Sequence, residues 1–514
     1  MTLFKFKSSD KEEYFNDKKF GGDLKKHAVK GAGATVISSF FNFIMQTIGV
    51  IVLARLLKPE DFGLVAMVTS IYAFFQMIRN MGLTEATIQE QEINHKIIST
   101  LFWINVVYSF LLTIIFMSFG PIISWFYSEP RIKFIAIVIS LDLFFGGLAT
   151  QHRALLIKNF HFYKSAAIEI EATIISFCIA IYLALHGWGY WAIVSRWVVF
   201  SFVEVIGSWI FCKWRPGFPV LNNRIIPLIK FGVNMIGNFM VNYFSRNIDK
   251  ILIGWRYGSL SLGYYDRAYN LFQAPAQRIS RPIFNVAIVT LSRLRDNPEK
   301  YRRYYLNSIS IIAFVGFPIS SILTVMSKDI VLLLLGPQWN AAAPILSVFS
   351  LSIGIQMIYY TYPWLHISLG KSNKLFRWNI IGTTITIISF LIGINFGPIG
   401  VVIGYTASIY ILIIPSLWYA GKEIDLKVGS IIGVVWKYYL SAICTGLFYL
   451  YIVYFINYTS RIAFQLTIFT RCFLSTIFFL IVYIVFIILL FQSTNQIKDF
   501  ISVCFDMLPG RLKK

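Results

Sequence analysis

The chain has 514 residues, of which 57% are hydrophobic and only 14% charged, and its 46 Lys and Arg against 24 Asp and Glu leave a formal net charge of +22. A mean hydropathy of +0.67 excludes an ordinary water-soluble domain, in which about a quarter of residues are charged. The pI near 9.7 would otherwise suggest nucleic acid as a partner. Basic residues confined to loops between lipid-embedded helices face anionic headgroups instead, so no nucleic-acid partner is expected.

In chain order, the first thirty residues form a basic tail with eight lysines, interspersed with acids and with Phe4, Phe6, Tyr14 and Phe20, and no signal-peptide apolar core. Hydropathy then divides the chain into about fourteen apolar stretches of roughly the 20 residues that cross a bilayer as a helix. They lie near 31–57, 61–83, 97–120, 133–155, 163–186, 189–211, 226–254, 260–290, 304–333, 341–369, 376–396, 398–420, 433–456 and 466–491. The expected fold is therefore an all-α polytopic membrane protein. Even-numbered connections are rich in basic residues, such as Arg153/Lys158/Lys164, Lys213/Arg215/Arg224 and Lys371/Lys374/Arg377, while odd-numbered ones hold few. The positive-inside rule puts both termini in the cytoplasm. Cys178, Cys212, Cys444, Cys472 and Cys504 have neither paired nor metal-ligand spacing, so reduced packing residues and no metal are expected.

No connection between spans is long enough to house a soluble active site, and the chain shows no P-loop, HExxH or Gly-x-Ser-x-Gly elbow. Transport is the leading class. A weak internal repeat supports it: Ile51–Val65 lies over Ile251–Tyr265 at an offset of 200, pairing Phe62 with Leu262 and Gly63 with Gly263. The copies are six spans apart, an even number, which gives two parallel lobes. The expected domains are a tail at 1–30, a first six-helix lobe at 31–211, a cytoplasmic linker at 212–225, a second lobe at 226–420, two extra helices at 421–491 and a cytoplasmic tail at 492–514.

Polar spacing marks the groove expected between the lobes. Ser38, Asn42 and Gln46 recur every four residues on the first span, and Asn234, Asn238, Asn242, Arg246 and Lys250 do so on the seventh. Each step of four drifts only about 40° around a helix, so each set is a slowly winding stripe. Interhelical hydrogen bonding would account for such stripes too, most readily at Ser38. On the eighth span Arg267, Arg278 and Arg281 project within about 60° of one another. An arginine at bilayer depth costs at least about 2.5 kcal/mol on insertion scales, so an anionic ligand is expected there. Arg278, between Pro275 and Pro282, is the most central. Arg79, at a helix end, reads as a topological anchor. Among intramembrane acids, Arg246 with Asp249 and Asp266 with Arg267 are candidate pairs or gates. Glu169, Glu171 and Glu204 lack an obvious local partner except Arg196, which makes them candidates for coupling to a proton or sodium gradient.

Two stretches carry a family resemblance. LARLLKPEDFGLVAMVTSIYAFFQMIRNMGLTEATIQ, Leu53 to Gln89, resembles the opening signature of Wzx-type polysaccharide flippases, the polysaccharide-transporter branch of the multidrug/oligosaccharidyl-lipid/polysaccharide exporter superfamily. DKILIGWRYGSLSLGYYDRAYNLFQAPAQRISRPIFNVAIVTLSR, Asp249 to Arg293, is similar to the second-lobe signature of the WzxC-type subgroup, although the proline that ends that signature is replaced around Thr290 to Leu291. The resemblance implies two six-helix lobes plus two helices. It also implies translocation of an undecaprenyl-diphosphate-linked oligosaccharide across the bacterial inner membrane for surface polysaccharide, with polymerase or assembly proteins as candidate partners. Arg278, Arg281, Arg246 and Arg267 would meet the pyrophosphate, since guanidinium forks match phosphate oxygens. Gln46, Asn234, Asn238, Asn242, Tyr265 and Tyr269 would face sugars. No cofactor is expected. A multidrug exporter of the same superfamily would share the duplication but present an apolar cavity with a few acids. A membrane polymerase or ligase would need a large outer loop.

Overall fold

The computed structural model describes residues 24–79, 84, 87–88, 94–220, 225–459 and 467–494, with side chains throughout these except at 24–37, 225–242, 244–246 and 454–459. Every regular element among the described residues is helical: α1 (Leu24–Leu56), α2 (Pro59–Arg79), α3 (His95–Tyr127), α4 (Arg131–Lys158), α5 (Phe162–Leu185), α6 (Tyr190–Phe211), α7 (Ile225–Arg293), α8 (Pro298–Val325), α9 (Ser327–Leu334), α10 (Ala342–Ser350), α11 (Ile353–Tyr359), α12 (Tyr362–Ser368), α13 (Ser372–Gly393), α14 (Gly397–Gly421), α15 (Val428–Thr459) and α16 (Ile468–Phe491). Lipid cannot satisfy an open backbone, which is why a chain this apolar resolves into helices.

Local sequence explains where helices start and stop. Pro59 opens α2 with Glu60 and Asp61 in its first turn, favourable against the helix dipole, and the Asp61 carboxylate accepts from the Lys58 amide at 3.1 Å. Asn94 caps α3 by accepting from the Ile97 amide at 2.9 Å. Asn297 does the same for α8 at the Lys300 amide, 3.1 Å away, with Pro298 next in line. Gly258, at φ 76 and ψ −177, is the non-helical residue at which α7 bends. A side chain there would be strained, and the break falls between the seventh and eighth spans read from hydropathy.

Among the described residues ten helices are long and apolar enough to cross a membrane, or eleven when the bent pair Ala342–Ser350 and Ile353–Ser368 (47°) is taken as one span. Part of the difference from the sequence reading of about fourteen has a physical reason. Ser372–Ile424 passes as a single stretch although Gly397, at φ 84, separates α13 from α14. The stretch of α7 from 247 to 293, which carries Asp249, Lys250, Arg256, Asp266, Arg267, Arg278, Arg281 and Arg293, does not pass.

The chain divides into two compact units, Met1–Gly263 and Tyr264–Lys514. The division comes later than the 212–225 linker read from the sequence, and packing explains it. The first half of that linker is an extended strap sewn to the start of α3: Trp214 Nε1 donates to His95 Nδ1 (3.0 Å), the Gly217 amide to Ser99 Oγ (2.9 Å) and the Val220 amide to Thr100 Oγ1 (2.9 Å). Trp214 is fully buried with Ile98, Phe102, Leu155 and Cys212. Further on, Tyr243 of α7 donates to the Ser70 carbonyl of α2 at 2.5 Å, tying the first arm of α7 to the same unit.

Also within the first unit, Gly63 of α2 meets Gly263 of α7. A Cβ on Gly63 would lie 3.0 Å from the Gly263 nitrogen and overlap the Ser259 carbonyl; a Cβ on Gly263 would lie 3.3 Å from the Gly63 nitrogen and overlap the Pro59 carbonyl. The contact is reciprocal, and each residue of one side stands 200 positions from its counterpart. The repeat read from the sequence is therefore present as a symmetric backbone crossing.

In the second unit α15 and α16 pack on α8. Ser310 and Tyr438 share a hydrogen bond of 2.8 Å, Ser321 donates to the Ala442 carbonyl at 2.9 Å and Tyr483 to the Phe314 carbonyl at 3.2 Å. An Arg471–Asp329 ion pair joins α16 to α9. Only 17% of the most apolar stretch of α16 is buried inside the protein, so most of its apolar surface is left for lipid.

Candidate functional site: a charged chamber in the first unit

The helices of the first unit enclose a chamber of about 310 Å³, lined by Gln46 of α1, Gln76 and Arg79 of α2, Asp142 and Arg153 of α4, Glu169, Thr173, Ser176 and Phe177 of α5, and Arg196, Trp197, Phe200 and Glu204 of α6. Three guanidinium groups face three carboxyl groups, so the lining is formally neutral though densely charged. Charges inside membrane helices are retained when they are paired or meet a ligand.

Two networks organise them. Asp142, 6% exposed, accepts from the Tyr72 hydroxyl and from Arg79 Nη1 at 3.5 Å, and that same nitrogen reaches the Asp142 carbonyl at 3.1 Å. Gly146 makes room for this: a Cβ there would overlap the Arg79 guanidinium. Across the chamber Arg153 forms an ion pair with Glu204, the arginine side chain 35% exposed and the carboxylate 11%. Arg196 lies over the Phe177 ring at 4.9 Å and over Trp197 at 5.8 Å. Cation–π packing of this kind holds a guanidinium in place.

Only some of the residues singled out from sequence meet at this chamber. Gln46 opens on it, whereas Ser38 and Asn42 are buried, and neither amide atom of Asn42 makes a hydrogen bond. Glu169 and Glu204 line the chamber together. Glu171 does not: two residues from Glu169 it sits about 200° around the helix, and it is exposed. Asp249 is buried and Lys250 half-buried. The side chains of Asn234, Asn238, Asn242 and Arg246 lie outside the described residues. On the second arm of α7, Arg278 and Arg281 are exposed, while Arg267 pairs with its neighbour Asp266, whose carboxylate also accepts from Asn270 Nδ2 at 3.0 Å. Tyr265, read as a wall for sugars, is instead fully buried, edge-on to Phe349 at 5.3 Å; Tyr269 is half-buried.

Sequence reasoning missed Arg79 and Arg153 as lining residues. Both sit near helix ends in a basic context, where they read as topological anchors. Their acids are 63 and 51 residues away. Among the described residues no group of His, Cys, Asp and Glu is arranged to hold a metal ion.

Together the helices and the chamber define a polytopic membrane transporter. Its fold is that of the multidrug/oligosaccharidyl-lipid/polysaccharide exporter superfamily: the lipid II flippase MurJ, in an inward closed conformation, superposes with a TM-score of 0.71 over 89% of this chain and 98% of its own at 16% identity. An inward-facing MATE family multidrug resistance transporter of the same superfamily gives 0.61 over 75% and 94% at 12% identity. The chain belongs to the polysaccharide biosynthesis protein family, whose model matches residues 52–344, more than half of its length and inclusive of both signature stretches. Among its relatives, the succinoglycan biosynthesis transport protein ExoT of Rhizobium meliloti (strain 1021) is 25% identical over 364 residues, 70% of this chain and 73% of that protein. The lipopolysaccharide biosynthesis protein WzxC of Escherichia coli (strain K12) is 24% identical over 386 residues, 74% and 78% respectively. The teichuronic acid biosynthesis protein TuaB of Bacillus subtilis (strain 168) is 24% identical over 360 residues, 69% and 74%.

Proposed function

We propose that this protein is a flippase that moves an undecaprenyl-diphosphate-linked oligosaccharide from the cytoplasmic to the outer leaflet of the bacterial inner membrane, by alternating access, during synthesis of a surface polysaccharide. The observation that carries the reading is a chamber of arginines and carboxylates inside membrane helices, in a chain of the polysaccharide biosynthesis protein family whose relatives include a succinoglycan biosynthesis transport protein. A polar head group needs such a lining to leave water; its polyprenyl tail does not and stays in lipid. Both termini are cytoplasmic in this reading, because the basic connections mark that side. The chamber then lies toward the cytoplasmic half, where Arg79, Arg153 and Glu204 approach the ends of α2, α4 and α6.

Arg278 and Arg281, exposed on α7, are proposed to contact the diphosphate as well, with Arg246 and Arg267 as further cations along that helix and the Asn234/Asn238/Asn242 stripe facing sugars. Glu169 and Glu204 are the proposed coupling groups for a proton or sodium gradient. Polymerase or assembly proteins would receive the product. In a deletion strain, Arg278→Ala is expected to abolish complementation, with surface polysaccharide absent by immunoblot while the variant reaches wild-type levels in the membrane fraction. Normal polysaccharide from that variant would remove Arg278 from the substrate path.

A further inference from the structure

The Arg153–Glu204 pair is asymmetric in a way that suggests exchange. The arginine side chain is 35% exposed and its carboxylate partner 11%, so the cation has access to the chamber space while the anion is held against the helices. If Arg153 turned to another anion, Glu204 would remain as a buried carboxylate without its partner, a state strongly disfavoured unless it takes up a proton. The groups facing Glu204 from the surrounding helices are Arg79 of α2, Asp142 and Arg153 of α4 and Glu169 of α5, with Arg196 on its own helix. Arg79 attracts the carboxylate but offsets its burial only in part. Arg79 is engaged by Asp142, which is itself held by Tyr72, and Asp142 and Glu169 are further negative charges. A dianionic ligand entering a neutral lining of three cations and three acids raises the same demand. One carboxylate must be neutralised for the arginines to present net positive charge.

We infer that Arg153 alternates between two anions, the Glu204 carboxylate in the empty chamber and a phosphate oxygen of a bound diphosphate, and that Glu204 takes a proton from solvent on release, so that anion and proton bind together. Arg196, held over Phe177 and Trp197, supplies the second guanidinium to the same ligand. The inference rests on the flippase reading for the source of the ligand only. A lipid-borne diphosphate and free pyrophosphate share the chemistry recognised.

The test is calorimetric titration of the purified full chain in detergent with inorganic pyrophosphate and, separately, farnesyl diphosphate between pH 6 and 8. The difference between wild type and Glu204→Gln is read, because the ligand itself titrates. One linked proton makes affinity rise about tenfold per pH unit as pH falls. Wild type is expected to show that additional slope, and Glu204→Gln to lose it and to bind about tenfold tighter at pH 8. Glu171→Gln, outside the chamber, should match wild type. The charge-balanced Arg153→Gln/Glu204→Gln variant, which leaves no unpaired charge to compromise folding, should bind about tenfold more weakly than Glu204→Gln. Binding of farnesyl diphosphate alone identifies a lipid head group, and binding of pyrophosphate alone identifies a free anion. Equal slopes in wild type and Glu204→Gln, an unchanged affinity in the double variant, or binding of neither probe overturns the exchange. Transport in cells is read separately, so such a failure leaves the flippase proposal to its own test.

Discussion

Asp142→Ala is expected to be the most destabilising single substitution in the first unit. The carboxylate is buried and serves both the Tyr72 hydroxyl, on a side chain 1% exposed, and the Arg79 guanidinium. Losing one neutral hydrogen bond would cost only about 1 kcal/mol. The arginine left behind weighs more, since removing one partner of a buried ion pair costs about 3–5 kcal/mol. The Arg79 guanidinium packs against Gly146, with its side chain 15% exposed. Thermal unfolding of the detergent-purified protein should show a fall of several degrees for Asp142→Ala. Asp142→Asn keeps an acceptor for Tyr72 and should fall between that variant and wild type. An Arg79→Met/Asp142→Leu double variant should recover much of the loss, because it removes the stranded charge. An Asp142→Ala midpoint equal to wild type would show that the network stabilises nothing.

The second large effect is expected at the glycine crossing. Ala at Gly63 or Gly263 places a methyl inside a backbone carbonyl, of Ser259 or Pro59 respectively, and backbone cannot rotate away as a side chain can. Overpacking of this kind costs about 1–3 kcal/mol. Both substitutions open the same contact, so the double variant should cost less than the sum of the two singles. Gly433, within α15, has nothing within 4 Å of an added Cβ, and Gly433→Ala should be neutral or gain up to about 1 kcal/mol. Unfolding midpoints check all four variants. A Gly63→Ala midpoint at or above that of Gly433→Ala would contradict the close approach.

The spans were legible because lipid imposes one requirement, a long apolar helix, that leaves a clear trace in hydropathy. Gly63 and Gly263 were legible as a repeat, since the same backbone constraint recurs 200 residues on. The family was legible from the stretches around Leu53–Gln89 and Asp249–Arg293, and the match to residues 52–344 rests on the same region. The chamber was legible only in part. Glu169 and Glu204 stood out because acids are rare in membrane helices. Arg79 and Arg153 did not, because an arginine near a helix end has the same local signature whether it anchors topology or turns inward to an acid on another helix. Helix phase alone separates Glu171 from Glu169. Tyr265 was misread because an aromatic that walls a groove and one that packs beside Phe349 have the same spacing. The unit boundary at Gly263, not at the linker, depends on Trp214, Ser99 and Thr100 sewing the strap to α3, a tertiary arrangement that no pattern within 212–225 announces.

Movement of a lipid-linked oligosaccharide between leaflets is tested most directly by the leaflet in which that intermediate sits when the protein is absent. In a deletion strain, spheroplasts treated with a membrane-impermeant glycan-labelling reagent should show lipid-linked repeat units accumulated but shielded on the cytoplasmic face, becoming labelled once the wild-type gene is restored. Repeat units labelled from outside at the wild-type rate in the deletion strain would contradict a flippase role.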